Sequence, residues 1–561
     1  MNTVKYNTLN YLISALKTYQ IYDIVASPGT QNARFNSLVQ ENLDFKTYSV
    51  IDERSAAYVA TGIWHEINNP VVITCTGATA SRNYLSAMTE CYYRKIPVIA
   101  ITFYDPDTNR FGLSPQYVDR TSTQNDVKYL SVDLPMIDSN KNIEDCILNL
   151  NAALSRAKYL NQPVHINCPA NQDYQSTNEL PNVWHFNYYT ELSEDLTREL
   201  GSKRVAIYIG SHHKFTKAEE EKISNFASSW NIPVFCDHTS NYKGSNKILL
   251  SQAFMMLRSF RHKPEIIIDI GNVSGEYTNG IIYKKAQVWR ISPDGLMHCR
   301  NNKSISKLFH MKECYFFENL MNKKETSNDY YTYMNKQISQ LKIPELPLCT
   351  SLVCQYLSKY LPKNSILHTS ILNSLRNMNF FDLDSSIDFN CNVGGFGIDG
   401  GVSTLVGQSI ANYNKKCFGL IGDLAFFYDM NILGNKHISK NLKILVINNN
   451  CGVEFRLNNA LEKHFGNKTN RLISAGEHNL GGVKGWVESC GFAYIQANQK
   501  EDFINKIKHF CNDEFDKPVV FEVFTEVKDE QNGIYNIRTF NRNKIEEGLI
   551  NCYKGIKQII K

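Results

Sequence analysis

Short apolar runs rich in β-branched residues alternate along the whole chain with longer stretches of helical periodicity. Val71-Val72-Ile73-Thr74-Cys75 and Pro97-Val98-Ile99-Ala100-Ile101-Thr102 are the first pair, and Tyr84 to Tyr93 between them predicts a crossover helix. Arg204–Gly210, Ile232–Cys236 and Glu265–Gly271 form a second group. Cys417–Ile421, Lys443–Ile447 and Pro518–Phe524 form a third. These runs are largely apolar rather than alternating, which is the pattern of parallel strands covered on both faces. Polar stretches at Asn171–Ser176 and Lys323–Asp329 separate the groups. The pattern predicts an α/β chain of three doubly wound parallel-sheet domains, spanning 1–180, 190–335 and 345–561.

Composition narrows the class. Of 561 residues, 43% are hydrophobic and 20% charged, which excludes a disordered or fibrous chain. Sixty basic residues against 55 acidic leave a net charge of only +5, so no electrostatic footprint for nucleic acid is present. No apolar run reaches the roughly 18 residues needed to span a bilayer. The start, Met1-Asn2-Thr3-Val4-Lys5-Tyr6, lacks a signal-peptide core, and a cytoplasmic location without a membrane partner is expected. The 15 cysteines are irregularly spaced with no CxxC, predicting free buried thiols and no metal on cysteine side chains.

The candidate chemistry sits in the third group. The strand Cys417–Ile421 ends in Gly422-Asp423-Leu424, and Lys443–Ile447 ends in Asn448-Asn449-Asn450-Cys451-Gly452. Ligands of open parallel sheets sit at the carboxyl ends of strands. An Asp carboxylate, an Asn amide oxygen and a backbone carbonyl suit Mg²⁺ or Ca²⁺ carrying a diphosphate. The plain alternative is an Asp helix cap and an Asn-rich turn.

With that pair of clusters, four segments resemble the thiamine diphosphate (ThDP) enzymes, most closely their MenD-like branch, the menaquinone-pathway synthases that join a succinyl unit from 2-oxoglutarate to isochorismate. The segments are Ser27-Pro28-Gly29-Thr30, Asp52-Glu53-Arg54-Ser55-Ala56-Ala57, Gly397–Thr404, and Gly422–Asn431 with its Asn-Asn-Asn. The resemblance implies a pyrimidine-binding, a central and a diphosphate-binding domain, with ThDP and Mg²⁺ as cofactors. Asp423, Asn449 and the Cys451 carbonyl would hold the metal, beside Gly422 and Leu424. Ile398 would lie beneath the coenzyme, and Thr76-Gly77-Ala78-Thr79 would line the pyrimidine pocket. Glu53 would face N1′ of the aminopyrimidine and Gln116 would lie near substrate. Without the resemblance, Glu53 reads as a surface residue paired with Arg54. In this family the glutamate and the metal clasp meet across a subunit boundary, implying a homodimer or homotetramer.

The chain departs from MenD where substrate is gripped. Gln31, Tyr104-Asp105-Pro106, Val393 and Met378 stand where that branch carries arginines. Arginine grips carboxylates bidentately and these residues do not. The expectation is therefore a 2-oxo acid donor, pyruvate before 2-oxoglutarate, and a less anionic carbonyl acceptor such as a keto sugar, with isochorismate excluded. Gln31, Asn392, Ser374, Tyr104, Phe103 and Tyr117 would face it. Arg34, Arg82, Arg94, Arg110, Arg376 and Arg456 are alternative carboxylate anchors. His212-His213 reads as a central-domain loop and His437 as part of a covering helix. Glu477-His478 reads as a lid segment, and Glu454 as either a structural residue or one facing the reacting centre. A simple 2-oxo acid decarboxylase and a non-catalytic protein retaining the fold are the competing readings.

Overall fold

The computed structural model describes residues 5–107, 112–114, 117–119, 122–170, 179–257, 263–276, 279–300, 303–322, 328–457, 461, 464–469, 472–478 and 481–542. It contains three parallel sheets of six, seven and six strands with helices between the strands. The three-sheet α/β architecture is the one the apolar runs predict. The two linker stretches fall largely outside the described residues: all of Asn171–Ser176 and most of Lys323–Asp329. Two compact units are present, residues 1–191 with 288–312, and residues 192–287 with 313–561.

In the first unit, β1 (Asp23–Ala26), β2 (Lys46–Ser49), β3 (Val71–Thr76), β4 (Val98–Tyr104), β5 (Leu130–Asp133) and β6 (Val164–Pro169) lie in the order β2-β1-β3-β4-β6-β5. Both faces are covered. Helices Thr8–Thr18 and Asn140–Leu160 contribute Leu12, Leu16, Leu150 and Leu154 to one core. Helices Glu53–Ile67 and Leu85–Arg94 contribute Ala57, Ala60, Met88 and Cys91 to the other. The sheet's direction of growth reverses between β1 and β3, leaving a crevice at their carboxyl ends. β2 pairs Lys46 to Ser49 with β1, and Val50 only follows it. This unit also holds β7 (Asn187–Tyr189), β12 (Gln287–Ile291) and β13 (Lys307–Phe309), in the order β12-β13-β7.

The second unit carries β8 (Val205–Ile209), β9 (Val234–Cys236), β10 (Lys247–Leu249) and β11 (Ile266–Ile270) in the order β10-β9-β8-β11. Its other sheet joins β14 (Ile366–Thr369), β15 (Asp388–Cys391), β16 (Cys417–Gly422), β17 (Leu442–Asn448), β18 (Ala493–Ala497) and β19 (Val519–Phe524) in the order β15-β14-β16-β17-β19-β18. One face packs on helices Thr350–Tyr360, Lys500–Asn512 and Val527–Thr539. The other packs on Gly401–Ala411, Asp423–Asp429 and Gly482–Ser489. Here the reversal falls between β14 and β16. His437 lies in an exposed turn after a 3₁₀ segment, not on a covering helix as expected, because the helical stretch ends at Gly434.

Candidate active site

Asp423 is the first residue of the helix that leaves β16, and its side chain is nearly fully buried. Its Oδ1 accepts from the Leu424 backbone N–H at 2.7 Å, as a carboxylate at a helix N-terminus does. Its Oδ2 lies 3.1 Å from His478 Nε2. On the other side of the reversal, the Ser370 hydroxyl oxygen accepts from the Gly422 N–H at 3.2 Å and ties the loop after β14 to the end of β16. The Asn-rich turn follows β17. Asn448 is spent on structure: its Nδ2 donates to Glu522 Oε1 at 2.6 Å. Burial raises the pKa of Glu522 against the hydrogen bonds it accepts from Asn448 and Tyr494. Asn450 takes a left-handed conformation (φ 59°) that turns the chain back. Gly452 then passes so close to Ser474 and Leu424 that an added Cβ would sit 3.2 Å from the Ser474 carbonyl oxygen.

A cavity of about 110 Å³ opens between these turns. Ser374, Ile398, Gly422, Asp423, Leu424, Asn449 and Cys451 all line it, as do Glu454 and Phe455. These seven residues, singled out from sequence and drawn from four separate stretches of chain, thus share one cavity. The oxygen set fits a hard cation. Asp423 and Asn449 present side-chain oxygens at neighbouring strand ends, and Asn450 Oδ1 beside them is buried with no hydrogen-bond partner. Burial pushes the Cys451 thiol up to about 12, so it stays protonated and leaves its carbonyl as the donor suited to such an ion. Asn392 is not in the cavity. It is exposed, and its Nδ2 donates to Thr404 Oγ1 at 3.0 Å. Val393 and Met378 are buried in the apolar core, so those positions offer no side chain for substrate.

The remaining candidates lie in the first unit, around its own reversal. Glu53 opens a helix whose N-cap, Asp52, accepts from the Arg54 and Ser55 N–H groups. Glu53 Oε2 accepts from Asn83 Nδ2 at 2.9 Å, whereas Arg54 reaches Asp52 instead at 3.6 Å. Gln31 Oε1 accepts from the Gly77 N–H at 3.0 Å, joining the loops after β1 and β3. An added Cβ on Gly29 would lie 2.2 Å from Thr76 Cγ2, so only glycine allows this approach. Tyr104 ends β4, and its hydroxyl meets the Leu134 carbonyl at 3.4 Å. Gln116 and Arg110 lie outside the described residues.

The sequence pattern placed His478 in a lid segment and gave no signal for Asn83 or Glu522. Each acts by a contact with a residue 30 to 74 positions away, which no local spacing signals.

The model for the thiamine pyrophosphate enzyme N-terminal TPP binding domain matches residues 6–128. A 2-succinyl-5-enolpyruvyl-6-hydroxy-3-cyclohexene-1-carboxylate synthase of Flavobacterium johnsoniae is 30% identical over 461 residues, 78% of this chain and 82% of that protein. The chain belongs to the thiamine diphosphate-dependent enzymes. Synthases of the same name from Bacteroides fragilis and Bacteroides thetaiotaomicron are 28% and 27% identical to this ThDP enzyme. They cover 92% and 98% of it, and 95% and 98% of their own lengths. No described helix of this ThDP enzyme is long and apolar enough to cross a membrane.

Proposed function

We propose that this enzyme decarboxylates a 2-oxo acid and transfers the acyl unit to a carbonyl acceptor other than isochorismate. The observation that carries the reading is the cavity at the reversal of the third sheet, where Asp423 and Asn449 present oxygens beside Ile398. Bound there, ThDP would supply a nucleophilic carbon and an electron sink. Asp423, Asn449 and the Cys451 carbonyl would hold Mg²⁺ and through it the diphosphate. Ile398 would support the coenzyme from below. Glu53 would hold a proton at the aminopyrimidine N1′. It would do so from a second copy of the chain, the enzyme being a homodimer or a pair of such dimers. Exposed Ile51 and Tyr58 beside Glu53 are apolar surface that such a copy would cover.

The substrate part of the proposal rests on chemistry that is missing. Gln31 is held by Gly77, and Val393 and Met378 are buried in the core, so these positions supply no guanidinium fork for the carboxylates of isochorismate. A neutral, hydroxyl-bearing acceptor such as a keto sugar, and a small donor such as pyruvate, fit better. The test is CO₂ release from a panel of 2-oxo acids with ThDP and Mg²⁺, with and without isochorismate. Release from pyruvate, with isochorismate giving no ligated product, is the expected result. Isochorismate-dependent consumption of 2-oxoglutarate as the fastest reaction would overturn it. Free aldehyde that persists with every carbonyl acceptor would make the enzyme a simple decarboxylase.

A further inference from the structure

The helix Asn373–Met378 follows β14, and the helix Val453–Leu457 follows the Asn-rich turn after β17. An ion pair joins them at the wall of the cofactor cavity: Arg376 Nη1 donates to Glu454 Oε1 at 2.6 Å. Arg376 is buried, whereas Glu454 is partly exposed and lines the cavity with Ile398, Ser374 and Phe455. The turn that delivers Arg376 is strained. Leu372 takes φ 68° and ψ −118°, a backbone conformation that a residue with a Cβ avoids, and Leu372 lines the same cavity. A largely buried ion pair returns little stability over an apolar pair of similar size. This one holds a carboxylate in a fixed place, because a guanidinium grips a carboxylate with directed donors.

The polar groups of the cavity differ in what they can still offer a ligand. Two carboxylates line it, Asp423 and Glu454, and none of the described residues lining it is cationic. Asp423 accepts from the Leu424 N–H with one oxygen and lies against His478 with the other. The Ser374 hydroxyl oxygen accepts from Ser370, and Asn373 donates to Thr350 and accepts from Asn377. Glu454 Oε1 is taken by Arg376, and among the described residues its Oε2 meets no hydrogen-bond donor. An ionised carboxylate only accepts, so the group it recognises is a donor. A ligand carboxylate set against it is repelled, whereas a ligand hydroxyl forms a charge-assisted hydrogen bond.

We propose that Glu454 is the residue that selects the acceptor, its Oε2 accepting a hydrogen bond from an acceptor hydroxyl, with Arg376 as the residue that positions it. That the selected molecule is the acceptor rests on the carboligase reading. That the site takes a polyol before a carboxylate does not. Recognition has then changed sign, from arginines that take carboxylates to a carboxylate that takes hydroxyls.

The test is saturation-transfer NMR on the full chain loaded with ThDP and Mg²⁺, with erythritol and succinate as unreactive four-carbon probes. Wild type should bind erythritol and show no binding of succinate at the same concentration. Glu454→Gln keeps the size of the side chain and removes its charge. It should weaken erythritol binding roughly tenfold or more, the share of a hydrogen bond to a charged group. Arg376→Met/Glu454→Leu removes both charges and leaves neither buried alone, so the fold should survive, and erythritol binding should weaken as much. In ligation assays the ratio of product from glyceraldehyde to product from propanal should fall at least tenfold in both variants, whereas damage to the fold alone would lower both products together. No erythritol binding by wild type, equal binding by wild type and both variants, or tighter binding of succinate than of erythritol by wild type overturns the proposal. Erythritol binding that both variants lose, with no CO₂ release from any 2-oxo acid, would leave the Glu454 site standing and remove the carboligase reading. Ligation with an unmoved acceptor ratio would leave that reading standing and remove Glu454 from it.

Discussion

Glu53 and Asp423 are asked to do different things, and their surroundings differ accordingly. Glu53 is half-buried at the start of its helix, with Asn83 on one carboxylate oxygen, so the other is available to a ring nitrogen. Glu53→Gln should keep ThDP and Mg²⁺ affinity within a few-fold but lower decarboxylation by about 10²-fold or more, the usual share of a proton-transfer group. Turnover and calorimetry on the same preparation separate the two effects. Asp423 is buried and its carboxylate is held in place by Leu424 and His478. Asp423→Ala should instead abolish Mg²⁺-dependent ThDP binding in the same titration. Asp423 and Asn449 were legible in the sequence because each closes a fully apolar run with a polar residue, an abrupt change that a buried strand tolerates only at its end. His478 was not legible as a neighbour of Asp423, since 55 residues separate them and the fold alone brings them together.

Which strands could be read from the sequence follows from where they lie. β3, β4, β8, β9, β11, β16, β17 and β19 are interior strands, covered on both faces, and their sequences are mostly apolar, with Asp269, Lys443 and Glu522 the charged exceptions. β2, β7 and β15 are edges, where Lys46-Thr47-Tyr48-Ser49 and Asp388-Phe389-Asn390-Cys391 carry polar residues that mask the pattern. β14 is interior but short, and His368 interrupts it; burial drives that imidazole down to about 4, so it sits neutral in the sheet. The edge strand β15 is anchored by charge as well as pairing. Asp388 lies 2.9 Å from Lys214 and Lys415 and 3.1 Å from Lys243. Burial alone would raise its pKa, but the three ammonium groups outweigh burial and hold it well below the usual carboxylate range. A depressed pKa contributes stability at pH values above the unfolded value of about 3.9, and that contribution fades as pH falls below it. Asp388→Asn should therefore melt at a lower temperature than wild type at pH 7, with the gap narrowing below about pH 4. Melting curves across that range check it, and a gap that is constant with pH would show that the lysines do not act through the ionised carboxylate.

At the scale of the molecule, each of the three sheets reverses its direction of growth, and the candidate residues gather at the reversals of the first and the third. One holds Gln31, Glu53, Thr76 and Gly77, and the other holds Asp423, Asn449 and Ile398. Fold class and family were legible because both rest on repeated signals along the chain. The substrate was not, because the residues that stand where the resemblance expects arginines, Gln31, Val393 and Met378, are held by Gly77 or buried in the core and name no ligand by themselves. The central claim is that the carboxylate of one copy and the cation clasp of another serve the same coenzyme. Mixing Glu53→Ala with Asp423→Ala during refolding or co-expression tests it, since each variant alone is inactive. Random pairing in a symmetric dimer gives half mixed dimers with one intact site each, so activity should return to about a quarter of wild type. Activity in the mixture no higher than in the separate variants would contradict the account.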